Sequence, residues 1–287
     1  MDIIKKQGYH YLRHSYRKGN RVVTIERYLG NTIPADIERI KKELWHESKK
    51  ELYLKLSRIK NAYAREWRTY PPSIKKDFLI TTSINFTYDT NAIEGSPITR
   101  EETEGIIKRK IAPNRPLADI QETINHSKTF LAMLHEKKDL TLSLLLNWHT
   151  ALFEETKPDI AGRLREWNVR VGNYHCPDWQ DVKKLMERFF DIYQESRKED
   201  HPVELAARTH YRFFEIHPFG DGNGRIARLI TNVILYRYGY PFIIIAYKDR
   251  KSYYKALRKA NKKGEYEFVK YFIRRYVNAH RQYLREM

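Results

Sequence analysis

Residues 217–228, His-Pro-Phe-Gly-Asp-Gly-Asn-Gly-Arg-Ile-Ala-Arg, place groups that can carry phosphate chemistry in a single turn. Three of the chain's 12 glycines fall within five positions, between a histidine and two arginines. Glycine has no Cβ atom, so backbone N–H groups can approach an anion there, and the N-terminus of a following helix favours negative charge. Arginine suits bidentate contact with phosphate, and histidine accepts a proton near neutral pH. The segment therefore predicts a phosphate cradle flanked by a base and by cations.

Three well-known glycine-rich motifs do not fit this segment. A P-loop requires Gly-Lys-Ser/Thr, but Arg225 follows Gly224. An EF-hand loop beginning at Asp221 would need a glutamate where Asn232 stands. A Rossmann motif needs a preceding strand, whereas the aromatic and apolar residues of 203–216 have helical spacing. An ordinary turn between two helices remains the alternative, but it leaves the convergence of so many polar groups unexplained.

The segment resembles the signature of the Fic family, His-Pro-Phe-x-Asp/Glu-Gly-Asn-Gly-Arg-x-x-Arg, at every specified position. The resemblance covers roughly residues 73–284. Fic proteins are mostly helical enzymes, and most that have this signature transfer AMP from ATP to a protein hydroxyl group and release pyrophosphate. The resemblance implies the same activity here, with ATP as co-substrate and Mg²⁺ as cofactor.

The resemblance also implies a role for each residue of the segment. His217 would be the general base that takes the proton from a Ser, Thr or Tyr hydroxyl of the target. Asp221 would hold Mg²⁺, because a hard carboxylate oxygen suits that ion. The residues expected to bind the ATP phosphates are Gly222, Asn223, Gly224, Arg225 and Arg228, with Arg225 on the β-phosphate side and Arg228 at the γ-phosphate.

A second motif precedes the expected catalytic core. Thr90-x-x-x-Glu94-Gly95 resembles the inhibitory Ser/Thr-x-x-x-Glu-Gly/Asn motif of some Fic proteins. The resemblance implies that Glu94, at the end of an inhibitory helix at about 75–94, pairs with Arg228 and displaces the γ-phosphate. In some relatives this glutamate also supports removal of AMP, a possibility left open for this chain. A helix that simply ends in Glu-Gly is the alternative.

Two further regions correspond to known parts of Fic proteins. Residues 162–176 correspond to the flap on which the protein target docks by pairing its backbone with a strand edge. An ordinary hairpin is the alternative. Relatives bind adenine in the region that holds Tyr253, Tyr254 and Asn261 here, although the tyrosines could equally be core residues. Relatives with an N-terminal inhibitory motif are often dimers, which implies a homodimer as a possible state.

Helical patterns predominate among the elements that must position these groups. We expect a mainly α fold: a Fic-type helical core with a short β-hairpin flap, plus a small N-terminal β-hairpin and a long helix. The hairpin is predicted at 8–30 with a turn at Gly19-Asn20, and the helix from Pro34 to about Trp67. Phe242–Ile245 could be another extended piece. Residues 1–70 are interpreted as an N-terminal extension and 71–287 as the catalytic domain.

Composition limits the remaining possibilities. The 54 basic and 36 acidic residues give a net charge of +18, which favours polyanionic partners. A single cysteine, Cys176, excludes an internal disulfide and fits the cytoplasm, and no apolar run predicts a membrane span. The leading hypothesis is an adenylyltransferase restrained by Glu94. The alternatives are a Fic enzyme that uses another nucleotide or phosphate-linked group, and a nucleic-acid-binding regulator that uses the hairpin at 8–30.

Overall fold

The computed structural model describes residues 1–18, 21–136, 139–172 and 174–285. The chain divides into two compact units, Met1–Arg58 and Ile59–Met287. The division falls inside the long helix α1 (Ile37–Thr69), whereas the boundary predicted from the sequence lies at the end of that helix. Among the described residues, no helix combines the length and the apolar character needed to cross a bilayer.

The first unit is an antiparallel sheet packed on the first part of α1. Its strands β1 (Asp2–Lys6), β2 (Tyr9–Lys18) and β3 (Arg21–Gly30) are adjacent in chain order. One face of the sheet meets α1 through a small core of Leu12, Leu29 and Leu44. His14 on β2 and Ser48 on α1 also form a buried hydrogen bond of 3.1 Å.

The predicted hairpin at 8–30 is present as β2 and β3, but strand β1 was not predicted. Its five residues, DIIKK, are too few and too mixed to show a clear alternation. Gln7 and Gly8 make the tight turn into β2, with φ of 49° and 86°. A two-residue turn with positive φ at both positions is typical of β-hairpins, but it usually carries Asn-Gly or Asp-Gly. The expected turn at Gly19-Asn20 lies outside the described residues.

The second unit is helical, as the sequence predicts. After the end of α1, its helices are α2 (Pro72–Ile93), α3 (Arg100–Glu104), α4 (Leu117–Met133), α5 (Leu142–Phe153), α6 (Val182–Glu199), α7 (Pro202–Ile216), α8 (Asn223–Arg237), α9 (Arg250–Lys263) and α10 (Tyr266–Ala279). A short ribbon, β4 (Arg170–Val171) paired with β5 (Tyr174–His175), lies within the predicted flap. Asn173, between these strands, is outside the described residues.

Local signals explain several boundaries in this unit. Thr99 and Glu102 form a capping box at the start of α3. After α3 the chain widens into a π-helical turn at Gly105–Arg109. Phe242–Ile245, predicted as a possible extended piece, is neither a helix nor a paired strand. The side-chain amide of Asn232 bonds both the N–H and the C=O of Ile243, at 2.8 and 3.0 Å, and so replaces a strand partner.

A buried network fixes α7, α8 and α9 to one another. His210 on α7 contacts the hydroxyl of Thr231 on α8 at 2.8 Å and that of Tyr253 on α9 at 2.9 Å. All three side chains are buried. Buried polar groups that are fully hydrogen-bonded rigidify a core. This network therefore holds the C-terminal end of α7 and the first turns of α8 rigidly in place. Residues 217–228 lie at this junction.

Candidate active site

His217 occupies the C-terminal end of α7 in a left-handed backbone conformation. Its φ is 53°, and its N–H donates to the C=O of Phe213 at 3.0 Å. The ring Nδ1 lies 3.1 Å from the carbonyl oxygen of Phe214. Because a carbonyl only accepts, Nδ1 carries the proton and Nε2 of the neutral ring keeps a lone pair. Burial lowers the pKa of His217 despite the opposing effect of this hydrogen bond, so the ring is a neutral base at pH 7.

Two of its own side chains, those of Phe219 and Asn223, fix the conformation of the loop after His217. Phe219 is fully buried, and its ring stacks on His149 with centroids 4.0 Å apart. The amide of Asn223 accepts from the N–H of Phe219 at 2.9 Å and donates to its C=O at 2.8 Å. The side chain of Asn223 therefore holds the loop, which leaves only its backbone N–H for a phosphate.

A different side chain packs against each of the three glycines of the loop. A Cβ atom at Gly220 would collide with Trp167, and one at Gly222 would collide with Phe153. Gly222 also has a φ of 78°, which other residues rarely adopt. A Cβ atom at Gly224 would collide with the carboxylate of Glu94. Aromatic packing thus explains two of the glycines, and only Gly224 gives access to an anionic group in this structure.

A cavity of about 300 Å³ opens over the loop. Among the residues that line it are His217, Asp221, Gly222, Asn223, Gly224, Arg228, Glu94, Tyr253 and Tyr254. The first turn of α8 forms its floor, so free backbone N–H groups and the helix dipole favour an anion there. The cavity combines a neutral imidazole, a carboxylate and a guanidinium around a helix N-terminus.

Glu94 and Arg228 form an ion pair inside this cavity. Glu94 caps the end of α2, and its Oε1 accepts from Nη2 of Arg228 at 2.5 Å. The same guanidinium reaches the hydroxyl and the carbonyl oxygen of Thr90, both at 3.3 Å. Gly95 follows with a φ of 99°, which lets the chain turn away after the glutamate. Another donor of Arg228, Nη1, is buried without an acceptor among the described residues.

Arg225, which the resemblance to Fic proteins places on the β-phosphate side, does not line this cavity. Its guanidinium pairs with Glu122 and, at 3.3 Å, with Asp221. It also lies over the ring of Phe153, 4.5 Å from the centroid. Residues three apart share one helix face, but each side chain follows its nearest partner. Glu122 on α4 is that partner, and it is 103 residues away in the sequence.

The carboxylate of Asp221 is held by cations. Lys157 donates to its Oδ2 at 2.7 Å and to Glu122 at 2.9 Å, and the N–H of Gly222 donates to Oδ1 at 2.5 Å. Burial alone would raise the pKa of Asp221, but Arg225 and Lys157 outweigh it and lower the pKa to about 2. The group is therefore ionised at neutral pH, as a metal ligand must be.

A magnesium site built on Asp221 fits the donor chemistry. No cluster of three or more His, Cys, Asp or Glu side chains that could hold a metal occurs in the described part of the chain. Mg²⁺ commonly binds through one or two carboxylates, water and substrate phosphates rather than in an all-protein cage. Asp221 is partly exposed and lines the cavity, so it could supply the one protein oxygen of such a site.

The residues predicted to bind adenine divide into two groups. Tyr254 and Asn261 line a second cavity of about 440 Å³. Its lining shares Val171, Gly172, Phe214 and Tyr254 with the first cavity, so the two are neighbours. The amide oxygen of Asn261 accepts from the hydroxyl of Tyr211 at 2.9 Å. Tyr253 is fully buried and bonded to His210, so its ring packs in the core, and it borders the first cavity rather than the second.

Two residues that organise the site were missed by sequence reasoning. His149 on α5 accepts from the N–H of Gly162 through Nδ1, so its Nε2–H donates to the C=O of Asp221, both at 3.0 Å. Burial lowers the pKa of His149 to about 4 and keeps it neutral. Arg165 is 2% exposed, and its donors reach the carbonyls of His217, Trp167 and Pro177 at 2.8, 2.9 and 2.6 Å. Neither stands in a recognisable motif.

Replacing Arg165 by methionine is expected to destabilise the protein strongly. The substitution keeps the approximate length of the side chain but removes the donor from three partly buried carbonyls, those of His217, Trp167 and Pro177. Each hydrogen bond to a charged group contributes about 1.5–3 kcal/mol, so the expected loss is about 3 kcal/mol or more. Thermal denaturation measures it, with the exposed Arg163→Met as the control. Equal melting temperatures for the two variants would contradict the role given to Arg165.

Comparisons with known proteins agree with this geometry. Residues 139–235 match the model of the Fic/DOC family. The chain is 33% identical over 193 residues to the protein adenylyltransferase Fic of Nematostella vectensis, which covers 65% of this chain and 45% of that protein. It is 34% identical over 189 residues to the protein adenylyltransferase Fic of Drosophila melanogaster, which covers 64% and 38%. The chain thus spans less than half the length of these curated relatives.

Solved structures extend the likeness to the fold. A signaling protein from Bacteroides thetaiotaomicron that contains a Fic domain superposes with a TM-score of 0.71 at 25% identity, over 81% of this chain and 98% of that one. Fic-1 from C. elegans superposes with a TM-score of 0.68 at 25% identity, over 88% and 78%. The signature residues, the helical fold around them and these likenesses agree, and residues 139–235 of the chain form a domain of the Fic/DOC family.

Proposed function

We propose that this protein is an adenylyltransferase that moves AMP from ATP to a hydroxyl side chain of a protein. The observation that carries the proposal is the cavity in which the neutral His217 lies beside a helix N-terminus and Arg228. The naming of the relatives as protein adenylyltransferases supports the same activity. The reaction needs a base for the hydroxyl and neutralisation of phosphate charge, and this cavity offers both.

His217 is the group that moves the proton. The oxygen of the target hydroxyl attacks the α-phosphorus while its proton passes to Nε2 of His217, and the bond from the α-phosphorus to the pyrophosphate oxygen breaks. The hydrogen bond from Nδ1–H to Phe214 fixes the tautomer in which Nε2 can accept. Because the pKa of His217 is lowered by burial, the base stays unprotonated throughout the neutral range.

The phosphates are expected to lie on the first turn of α8. Backbone N–H groups of Asn223 and Gly224 would donate to them, while the N–H of Gly222 holds Asp221, and Arg228 would neutralise the γ-phosphate. Mg²⁺ held by Asp221 would supply charge neutralisation between phosphate oxygens. Arg225 acts through its contacts with Asp221 and Glu122, so we assign it the role of positioning Asp221.

The base of the nucleotide is expected in the second cavity, next to Tyr254 and Asn261. Because Tyr211 fixes the amide of Asn261, that side chain can read one edge of the base. The protein target would pair its backbone with the ribbon of β4 and β5, which Arg165 and the hydroxyl of Tyr174 tie to the end of α7. A homodimer and a cytoplasmic location stay predictions from the sequence.

Glu94 is proposed to restrain the enzyme. Glu94 occupies Nη2 of Arg228, so the guanidinium cannot bind a phosphate through both of its terminal nitrogens unless Glu94 moves away. ATP bound beside this ion pair would lack its γ-phosphate partner, so its α-phosphate would not be aligned for attack. Loss of alignment alone can slow a reaction by orders of magnitude.

Labelled nucleotides test the proposed activity. The Glu94→Gly variant is incubated with ATP, UTP or GTP labelled at the α-phosphate, and label on protein is measured. We expect label from ATP, carried on the enzyme itself or on an added protein target. Label from UTP or GTP in preference to ATP would replace adenylyl transfer by another nucleotidyl transfer. Label from none of them, with a folded protein that binds ATP, would contradict nucleotidyl transfer.

A further inference from the structure

We propose that the open face of the N-terminal sheet binds single-stranded RNA by stacking bases on three tyrosines. This tyrosine face consists of Tyr9 and Tyr11 on β2 and Tyr28 on β3. It belongs to the unit Met1–Arg58, whereas the proposed nucleotide cavity lies in Ile59–Met287. The inference goes beyond the proposed activity and does not depend on it.

The two faces of the sheet differ in what covers them. Leu12, Leu29 and His14 point to the side that packs on α1. Tyr9 and Tyr11 alternate with these residues along β2, and Tyr11 stands directly opposite Tyr28 in the strand register. Successive side chains of a strand point to opposite faces, so the three tyrosines share the face away from α1.

The tyrosine rings form one exposed cluster. The ring centroids of Tyr9 and Tyr28 are 5.6 Å apart, and those of Tyr11 and Tyr28 are 5.4 Å apart. Tyr28 is 57% exposed and Tyr9 is 41% exposed, which is unusual for neighbouring large aromatic residues. A cross-strand aromatic pair stabilises a sheet by itself, so the cluster has a structural role as well. That role does not require rings this open to solvent.

Two basic side chains share the face of the tyrosine cluster. Lys6 stands directly opposite Tyr9, and Arg13 follows Tyr11 by two positions on β2, whereas Arg27 lies on the other face and pairs with Glu43 and Glu47 of α1. Glu26 is shared by Lys6 and Arg13, at 2.6 and 2.8 Å, so one carboxylate serves two cations. Lys6 also lies 5.9 Å from the centroid of the Tyr11 ring. Aromatic rings beside basic side chains are the combination that binds unpaired nucleotides.

The chemistry of the face points to a single strand, and to RNA. A flat sheet offers no helix for the major groove of a DNA duplex, whereas unpaired bases can stack on open rings. The hydroxyl groups of Tyr9, Tyr11 and Tyr28 make no hydrogen bond within the described residues, so they can pair with the 2′-hydroxyl of ribose, which DNA lacks. Phosphates of the strand would meet Lys6 and Arg13 at the border of the cluster.

Fluorescence anisotropy of a labelled ten-nucleotide oligouridine, titrated with the full chain, tests the proposal. We expect Tyr28→Ala to weaken binding about tenfold or more, as the loss of one stacking platform does. Tyr28→Phe keeps the ring and should stay within about threefold of the wild type. Leu54→Ala is the matched control, because Leu54 on α1 is also 57% exposed but lies off the sheet. It should leave the affinity unchanged.

Three other measurements make the test decisive. Oligodeoxyuridine of the same length should bind more weakly than oligouridine, and a duplex more weakly than either. Equal affinities for the two single strands, tighter binding of the duplex, or no effect of Tyr28→Ala would overturn the proposal. If Tyr28→Ala melts early, Tyr9→Ala decides in its place. Transfer of AMP by Tyr28→Ala should equal that of the wild type, which separates this surface from the proposed activity.

Discussion

Replacing His217 by alanine is expected to lower AMP transfer by about a hundredfold to ten-thousandfold, the range that a positioned general base contributes. The ring is the neutral base of the cavity, and its tautomer is fixed by the hydrogen bond to Phe214. Alanine removes the base but leaves the phosphate-binding turn of α8 in place. The rate should therefore fall while the affinity for ATP changes little. Initial rates and ATP binding, both measured in the Glu94→Gly background, separate the two quantities.

A control and a pH profile make this prediction specific. His135→Ala removes an exposed histidine outside the cavity and should leave the rate unchanged. The rate of the protein with His217 should rise with pH as the imidazole loses its proton, with a midpoint below its ordinary value of about 6.5, because burial lowers the pKa of His217. Transfer by His217→Ala at the undiminished rate, or a midpoint above 6.5, would contradict the assignment of the base.

The turn at residues 217–228 was accessible from the sequence because its constraints are local. The positive φ of Gly222 and the proline after His217 act on neighbouring backbone, so the order of residues predicts the local shape, although the side chains that pack against the glycines are distant in the sequence. The helices on either side followed from their apolar spacing in the same way. The pairing of Glu94 with Arg228 is not local, and only the resemblance to known inhibitory motifs brought these residues together.

The remaining features of the site depend on distant parts of the chain. The direction of Arg225 is decided by Glu122, and the state of Asp221 by Lys157, and neither partner belongs to a motif. Arg165 acts by donating to backbone carbonyls, which every residue has, so no sequence pattern marks its partners. Tyr253 was ambiguous for a related reason: an aromatic residue on a helix near a site can face either the core or the ligand.

Replacing Glu94 by glycine is expected to raise AMP transfer by about tenfold or more. The carboxylate competes with the γ-phosphate for Arg228, and each 1.4 kcal/mol of that competition corresponds to a factor of ten. Arg228 is 2% exposed and Glu94 about a quarter exposed, so the pair is shielded from screening by solvent and salt. Transfer is measured from ATP labelled at the α-phosphate. Glu101→Gly, an exposed glutamate of α3, is the control and should not change the rate.

The same substitution should raise the rate of AMP transfer but lower the stability of the protein without nucleotide. The two effects together distinguish loss of an inhibitory contact from a general increase in flexibility. Without Glu94, the buried guanidinium of Arg228 loses its carboxylate and keeps neutral partners such as Thr90, so the melting temperature without nucleotide should fall. ATP supplies a new anion to Arg228 in the variant but must displace a carboxylate in the wild type. The rise in melting temperature on adding ATP should therefore be larger for Glu94→Gly. An unchanged rate together with an equal ATP effect in both proteins would show that Glu94 restrains nothing and merely ends α2.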